Sequence, residues 1–319
     1  MQEIFRSLPE KSSHYNREDA GMNKIGIYFA FWEKEWEADY CRYIEKAKDL
    51  GFDVLELAAG CLPDMPSAQR KEIASRAEDA GIDLTYCIGL PPQYDLASED
   101  VSVRASGIRY VGELLNCIRQ MGGDMLGGII YSCWPGGTVT YDYKMKARER
   151  SLNSLGELAR MAEEYDISYC LEIVNRYEQY LLNTAAEGAD FVRELNSPKV
   201  KLLLDCFHMN IEEDSFSEAI KTAGELLEHF HIGECNRKVP GRGHMDWDDI
   251  VRGLEAIDYQ GKIVMEPFLR PGGQVGKDIK IYRDQSGNAS EAQMDDMAGE
   301  ALGFIREKLR LGGNHHGEN

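Results

Sequence analysis

One pattern of apolar and polar positions recurs along the chain. A short, mostly apolar run leads into a polar turn, and then into a longer segment whose apolar residues return every three to four positions. Runs of the first kind suit buried parallel strands, which are covered on both faces and so need not alternate strictly. Segments of the second kind suit amphipathic helices. Lys24–Phe31 predicts a first strand and Ala38–Leu50 a first helix, stopped by Gly51. Phe52–Ala58 and a helix capped by Ser67 and ending near Gly81 repeat the unit. Asp83–Ile88 with Glu99–Met121, then Met125–Tyr131 with Lys144–Glu164, continue it. A fifth strand opens at Ser168, and its helix starts at Asn183 and ends before Pro198. Val200–Asp205 is followed by a helix around Phe216–Ala223, and His229–Ile232 by Trp247–Ile257. Lys262–Pro267 is the eighth strand, and Ala292–Leu311 the closing helix.

About eight strand–helix units in 319 residues predict a fold of class α/β, a single (β/α)8 TIM barrel. An open doubly wound sheet is the runner-up, but no glycine-rich dinucleotide turn follows the first strand. The barrel is expected to occupy residues 22–311 as one domain. Residues 1–21, polar and without period, read as a flexible arm, and residues 312–319 as a disordered tail.

In such a barrel, reactive groups gather where the strands end. The last four strands each carry a candidate at or near that end, namely Glu172, Asp205, His231 and Glu266. A single acid there is more often a helix cap or an ion-pair partner; four on consecutive strands carry the argument together. Three carboxylates and an imidazole make a full ligand set for one divalent ion. Because that set lacks a thiolate, it favours Mn²⁺ or Co²⁺, with Mg²⁺ as a third candidate, over structural zinc. Asn175 and Glu178 follow Glu172, His208 follows Asp205, and Arg237 follows His231. Each is equally well read as a surface-loop contact. His229 shares the face of His231. His231 lies nearer the strand end, which leaves His229 as a core or supporting residue.

Charge and cysteine usage narrow the classes of function. A formal net charge of -19, without a basic stretch, excludes a nucleic-acid partner and an anionic membrane surface. No apolar run is long enough to cross a bilayer. The eight cysteines are scattered without metal-site spacing, as expected of a reduced, cytoplasmic protein. A neutral substrate, or one approached through a bound cation, fits this balance.

Four segments together resemble one family. Glu172-Ile-Val-Asn-Arg-Tyr-Glu178 with Asn183-Thr-Ala-Ala, Asp205-Cys-Phe-His208-Met-Asn210, His231-Ile-Gly-Glu-Cys-Asn-Arg237 and Glu266-Pro267 are similar to the ketose 3-epimerases. That family comprises the D-psicose (D-allulose) and D-tagatose 3-epimerases, on a xylose-isomerase-like TIM barrel. The resemblance runs from Lys24 to the last helix. It implies a metal-dependent isomerase with Glu172, Asp205, His231 and Glu266 as ligands. Glu172 and Glu266 would exchange the C3 proton of a free ketohexose, converting D-fructose to D-psicose through a cis-enediolate. Glu178, His208 and Arg237 match positions that hold the O1 to O3 end of the sugar, and Tyr28, Trp36 and Trp134 match aromatic positions of the pocket. The implied partners are free ketoses (D-fructose, D-psicose, D-tagatose, D-sorbose) and a second copy of the chain, as a homodimer or homotetramer. The chemistry stands on its own: the C3 hydrogen lies beside the C2 carbonyl, and inverting C3 needs removal from one face and return to the other. Two opposed carboxylates therefore serve better than one. A preference for D-tagatose and an aldose–ketose isomerase on the same barrel are the alternatives. Selectivity beyond C3 is expected from the loops after the first four strands, including Cys61–Pro66 and Leu90–Gln93.

Overall fold

The turns between apolar runs are built largely by the residues that the pattern singles out. In the computed structural model, which describes residues 23–313, Gly51 and Gly81 adopt the left-handed backbone that ends α1 (Tyr40–Leu50) and α2 (Ser67–Ala80), at φ 87° and 70°. Side-chain caps start the next helices: Asp100 for α3 (Val101–Gln120), Thr140 for α4 (Tyr141–Tyr165) and Thr184 for α5 (Ala185–Leu195). Each accepts a hydrogen bond from an amide that the helix leaves unpaired.

Between these helices run eight strands: β1 (Ile25–Tyr28), β2 (Val54–Ala58), β3 (Asp83–Cys87), β4 (Met125–Gly128), β5 (Ser168–Ile173), β6 (Val200–Asp205), β7 (Leu227–Ile232) and β8 (Lys262–Met265). All pair in parallel with their sequence neighbours, and β1 also pairs with β8, so the sheet closes in the order β1 to β8. This is the expected (β/α)8 barrel. The second half carries α6 (Cys206–Glu212), α7 (Phe216–Ala223), α8 (Trp247–Ala256), α9 (Gly273–Asp278) and α10 (Glu291–Gly313). Among the described residues no helix is long and apolar enough to cross a membrane.

Several boundaries differ from the expected ones. The first strand ends at Tyr28, because Phe29–Phe31 turn into a buried 3-10 helix. The fourth ends at Gly128, whose φ of 114° leaves a Cβ 2.1 Å from the Ile88 carbonyl oxygen, so the turn there needs glycine. Ser67 is the first helical residue of α2 and not its cap; Pro66 takes the cap position and makes no side-chain bond. Nothing in the apolar pattern predicts α6 or α9. The closing helix α10 begins at Glu291, just before the expected Ala292, and runs on to Gly313, past the expected end at Leu311. The expectations for residues 1–21 and for the tail beyond 313 lie outside the described residues.

Candidate active site

Alternation along the strands sets what faces the barrel axis. Cys170 and Leu203 belong with Met125 to a small buried cluster apart from the main core. Glu172 and Asp205 lie two residues further along the same faces. Along β5 and β6 the barrel interior is therefore apolar at depth and acidic at the mouth. In register, Asp205 lies beside His231 and His231 beside Val264, so Glu266, just past the end of β8, joins the same end of the barrel.

Glu172, Asp205, His231 and Glu266 offer donor atoms that all lie within 4.8 Å of one another. His231 Nδ1 stands 3.8 Å from Glu172 Oε1 and 3.9 Å from Glu266 Oε1, with no hydrogen-bond partner. A buried, unpartnered ring nitrogen aimed at three carboxylates is the arrangement that a divalent cation satisfies, and the oxygen and nitrogen donor set fits a hard-to-borderline ion. The charges agree. Burial, with Glu172 and Asp205 adding to it, pushes the Glu266 carboxyl up to about 8 against the pull of His231 and Arg237. Burial pulls the His231 imidazole down, yet Glu56, Glu172 and Glu266 outweigh it and hold it well above its ordinary value. Both shifts express one excess of negative charge.

Arg237 supplies part of the compensation. Its Nη1 donates to Asp205 Oδ2 and to Glu266 Oε2, at 3.0 Å each, and the guanidinium lies 3.8 Å over the Phe207 ring. His208 is fixed by Asn175. The Asn175 side-chain Oδ1 accepts from the Tyr177 amide, which orients the side-chain NH₂ as the donor to His208 Nδ1 at 2.7 Å. The other ring nitrogen, Nε2, lies 3.4 Å from Arg237 Nη2, 3.8 Å from Glu172 and 3.7 Å from Asp205. Burial raises the Glu178 carboxyl, but His208, Arg237 and the hydrogen bonds from Trp134 and Asn175 outweigh it and hold it low, hence ionised.

A cavity of about 470 Å³ opens over this cluster, within the range of small-molecule sites. Tyr28, Trp36, Trp134, Glu172, Glu178, His208, Arg237 and Glu266 all line it, while Asp205 and His231 lie behind its wall. Every site residue expected from the sequence is thus brought to one end of the barrel. The Trp134 indole donates to Glu178 Oε2 and the Trp36 indole to Asp278 Oδ2, so both rings are held by acids. Burial holds the Tyr28 hydroxyl and the Cys87 thiol well above their ordinary values. Both stay protonated, and neither is a nucleophile.

Three residues near the site escape the sequence reading. Asp278 sits on the unexpected α9 and anchors Trp36 from 242 positions away in sequence. Glu56 is fully buried in β2 and is joined there by Thr85. Its signal is a single charge inside Val54-Leu-Glu-Leu-Ala58, a run that otherwise reads as core.

Comparison with known proteins agrees with this fold. Residues 44–303 match the family model described as xylose isomerase-like TIM barrel. The chain belongs to that family and, within it, to the ketose 3-epimerases. It is 48% identical over 287 residues to a D-psicose 3-epimerase of Ruminiclostridium cellulolyticum, covering 90% of this chain and 98% of that one. A crystal structure of D-psicose 3-epimerase in the presence of D-fructose superposes with a TM-score of 0.87 at 44% identity, covering 90% of this chain and 99% of that chain. A D-psicose 3-epimerase with D-tagatose, from Clostridium cellulolyticum H10, gives 0.87 at 47% identity with the same coverage.

Proposed function

We propose that this protein epimerises free ketohexoses at C3, interconverting D-fructose and D-psicose, with Glu172 and Glu266 as the proton-transfer pair. The observation that carries the reading is that both carboxylates approach the unpartnered His231 Nδ1, at 3.8 and 3.9 Å, and both line one aromatic-walled cavity. Glu172, Asp205, His231 and Glu266 would hold the divalent cation, for which Mn²⁺ or Co²⁺ is the proposed identity. When bound, that ion supplies the positive charge that stabilises the negative charge left when C3 loses its proton.

The residues of the chain do the rest. Glu178, His208 and Arg237 offer an ionised carboxylate, an imidazole and a guanidinium within 3.9 Å of one another on the cavity wall, a set that recognises adjacent hydroxyl and carbonyl oxygens. Seating O1 to O3 there brings C3 between Glu172 and Glu266. One carboxylate removes the C3 proton from its face, and the other, as its carboxylic acid, returns a proton to the opposite face. Either direction uses the same pair with the roles exchanged. Tyr28, Trp36 and Trp134 exclude water while the carbon is deprotonated.

The test is solvent deuterium incorporation at C3 of D-fructose, with the products of a ketose panel resolved as C3 epimers. Glu172→Gln and Glu266→Gln are each expected to abolish incorporation. Near-normal exchange in either variant removes that residue from the pair. Interconversion of D-xylose and D-xylulose with C3 of D-fructose untouched replaces the reading with an aldose–ketose isomerase.

A further inference from the structure

Among the described residues, Glu56 is the most enclosed charge that the proposed reaction does not use. It is 0% exposed, and it stands on β2, a strand that contributes none of the four clustered donors. Its Oε2 accepts from Thr85 Oγ1 at 2.9 Å and from His229 Nε2 at 2.9 Å, while its Oε1 lies 2.7 Å from His231 Nε2. Burying a carboxylate among apolar strands is prohibitive unless it is compensated, and here two hydrogen-bond donors, Thr85 and His229, and the ion-paired His231 do so.

These contacts define what Glu56 does. One donor atom from each of Glu56, His229 and His231 lies within 4.8 Å of the others, but the two carboxylate oxygens diverge, one to each histidine, at hydrogen-bond distance. His229 is thus hydrogen-bonded to Oε2 and His231 is ion-paired with Oε1, and the three do not converge on a common point as the ligands of a second ion would. An ionised carboxylate has no proton to give, so the ring nitrogen facing it must carry one. A histidine with its proton on Nε2 has its lone pair on Nδ1, and Nδ1 is the His231 atom that faces Glu172 and Glu266. His229 and Thr85 in turn hold Glu56 from the other side.

We propose that Glu56 is a positioning residue that fixes the tautomer and ring orientation of His231, presenting Nδ1 to the cation site, with Thr85 and His229 anchoring the carboxylate. This rests on the cation site proposed above. Carboxylates set behind metal-binding histidines typically contribute 10–100-fold to metal affinity. Glu56→Gln keeps the shape but places an amide NH₂ or a weaker acceptor against two ring N–H groups, so the ring turns or changes tautomer.

The experiment is calorimetric titration of the purified, metal-stripped full chain with Mn²⁺, checked by the Co²⁺ absorption spectrum and by circular dichroism for folding. Glu56→Gln is expected to bind Mn²⁺ about 10–100-fold more weakly than the unsubstituted chain and to alter the Co²⁺ bands. A purely structural Glu56 would lower the melting temperature and leave the Kd of the folded protein alone. That result overturns the assignment. Should the amide variant fail to fold, Glu56→Asp, which withdraws the charge by one methylene, is measured instead, and an unchanged Kd there overturns it equally. Absence of Mn²⁺ and Co²⁺ binding in the unsubstituted chain would instead overturn the cation site itself, and this assignment with it.

Discussion

Arg237 adopts a left-handed backbone, φ 62°, which costs a residue with a Cβ about 1–3 kcal/mol. The strain is held by the Phe268 amide, which donates to the Arg237 carbonyl, and by the guanidinium's two 3.0 Å bonds to buried acids. Arg237→Met keeps the bulk over Phe207 but leaves Asp205 and Glu266 without their donor. It is expected to cost roughly 3–5 kcal/mol in denaturant unfolding of the metal-free protein. A change below about 1 kcal/mol would show that those carboxylates had simply taken up protons. Sequence spacing places Arg237 after His231 but cannot reveal this conformation, which depends on a backbone bond to the segment after β8. Glu172, Asp205, His231 and Glu266 are legible because each closes or follows an apolar run. Glu56 is not, because a charge in mid-strand looks the same whether it faces a helix, solvent or a second buried group.

Helices are legible where the apolar period lasts several turns and hidden where they are short. α6 begins at once after β6, with Asp205 ending the strand and capping the helix through Oδ1, which accepts from the Phe207 amide at 2.8 Å, so no turn residue marks the break. α9 contains two glycines in six residues, against its own propensity, and is held from outside. The Val275 amide donates to the Lys34 carbonyl, and Asp278 accepts from Trp36. The packing of α7 on α8 shows the same outside support. Asp249, in the first turn of α8, accepts from the Ser217 amide at 3.1 Å and from Ser215 Oγ at 3.0 Å, and so caps the start of α7 as well. Burial raises the Asp249 carboxyl, but the donors at Ser217 and Ser215 outweigh it and hold it below its ordinary 3.8. A depressed folded value means that this stabilisation is complete above the unfolded value and is lost as pH falls through the folded one. Asp249→Ala should therefore cost about 1–2 kcal/mol near neutrality, and less and less as pH drops below about 4. Melting temperatures of the two proteins across that range measure it, and a pH-independent gap would remove the charge from the explanation.

At the scale of the molecule, the four clustered donors all come from the second half of the barrel, yet the closure of the sheet ties them to the first. β1 pairs with β8, Asn23 donates to the carbonyls of Tyr259 and Gly261, Lys46 on α1 bonds Asp295 on α10, and Glu56 on β2 reaches His231 on β7. A cation that binds only the folded state at 100 times its Kd adds about 2.7 kcal/mol. If the barrel unfolds as one unit, Mn²⁺ at that level raises a single calorimetric transition by on the order of 5 °C. Two transitions of which only one moves would show that the halves unfold separately, and no shift would show that the cluster binds no ion. The net charge of -19 also draws divalent cations to the surface without specificity, and surface binding would mimic a small shift. Asp205→Asn separates the two. It replaces one anionic donor of the cluster by a neutral amide and changes the overall charge by only one, so a specific site loses most of the shift and a diffuse ion atmosphere keeps it.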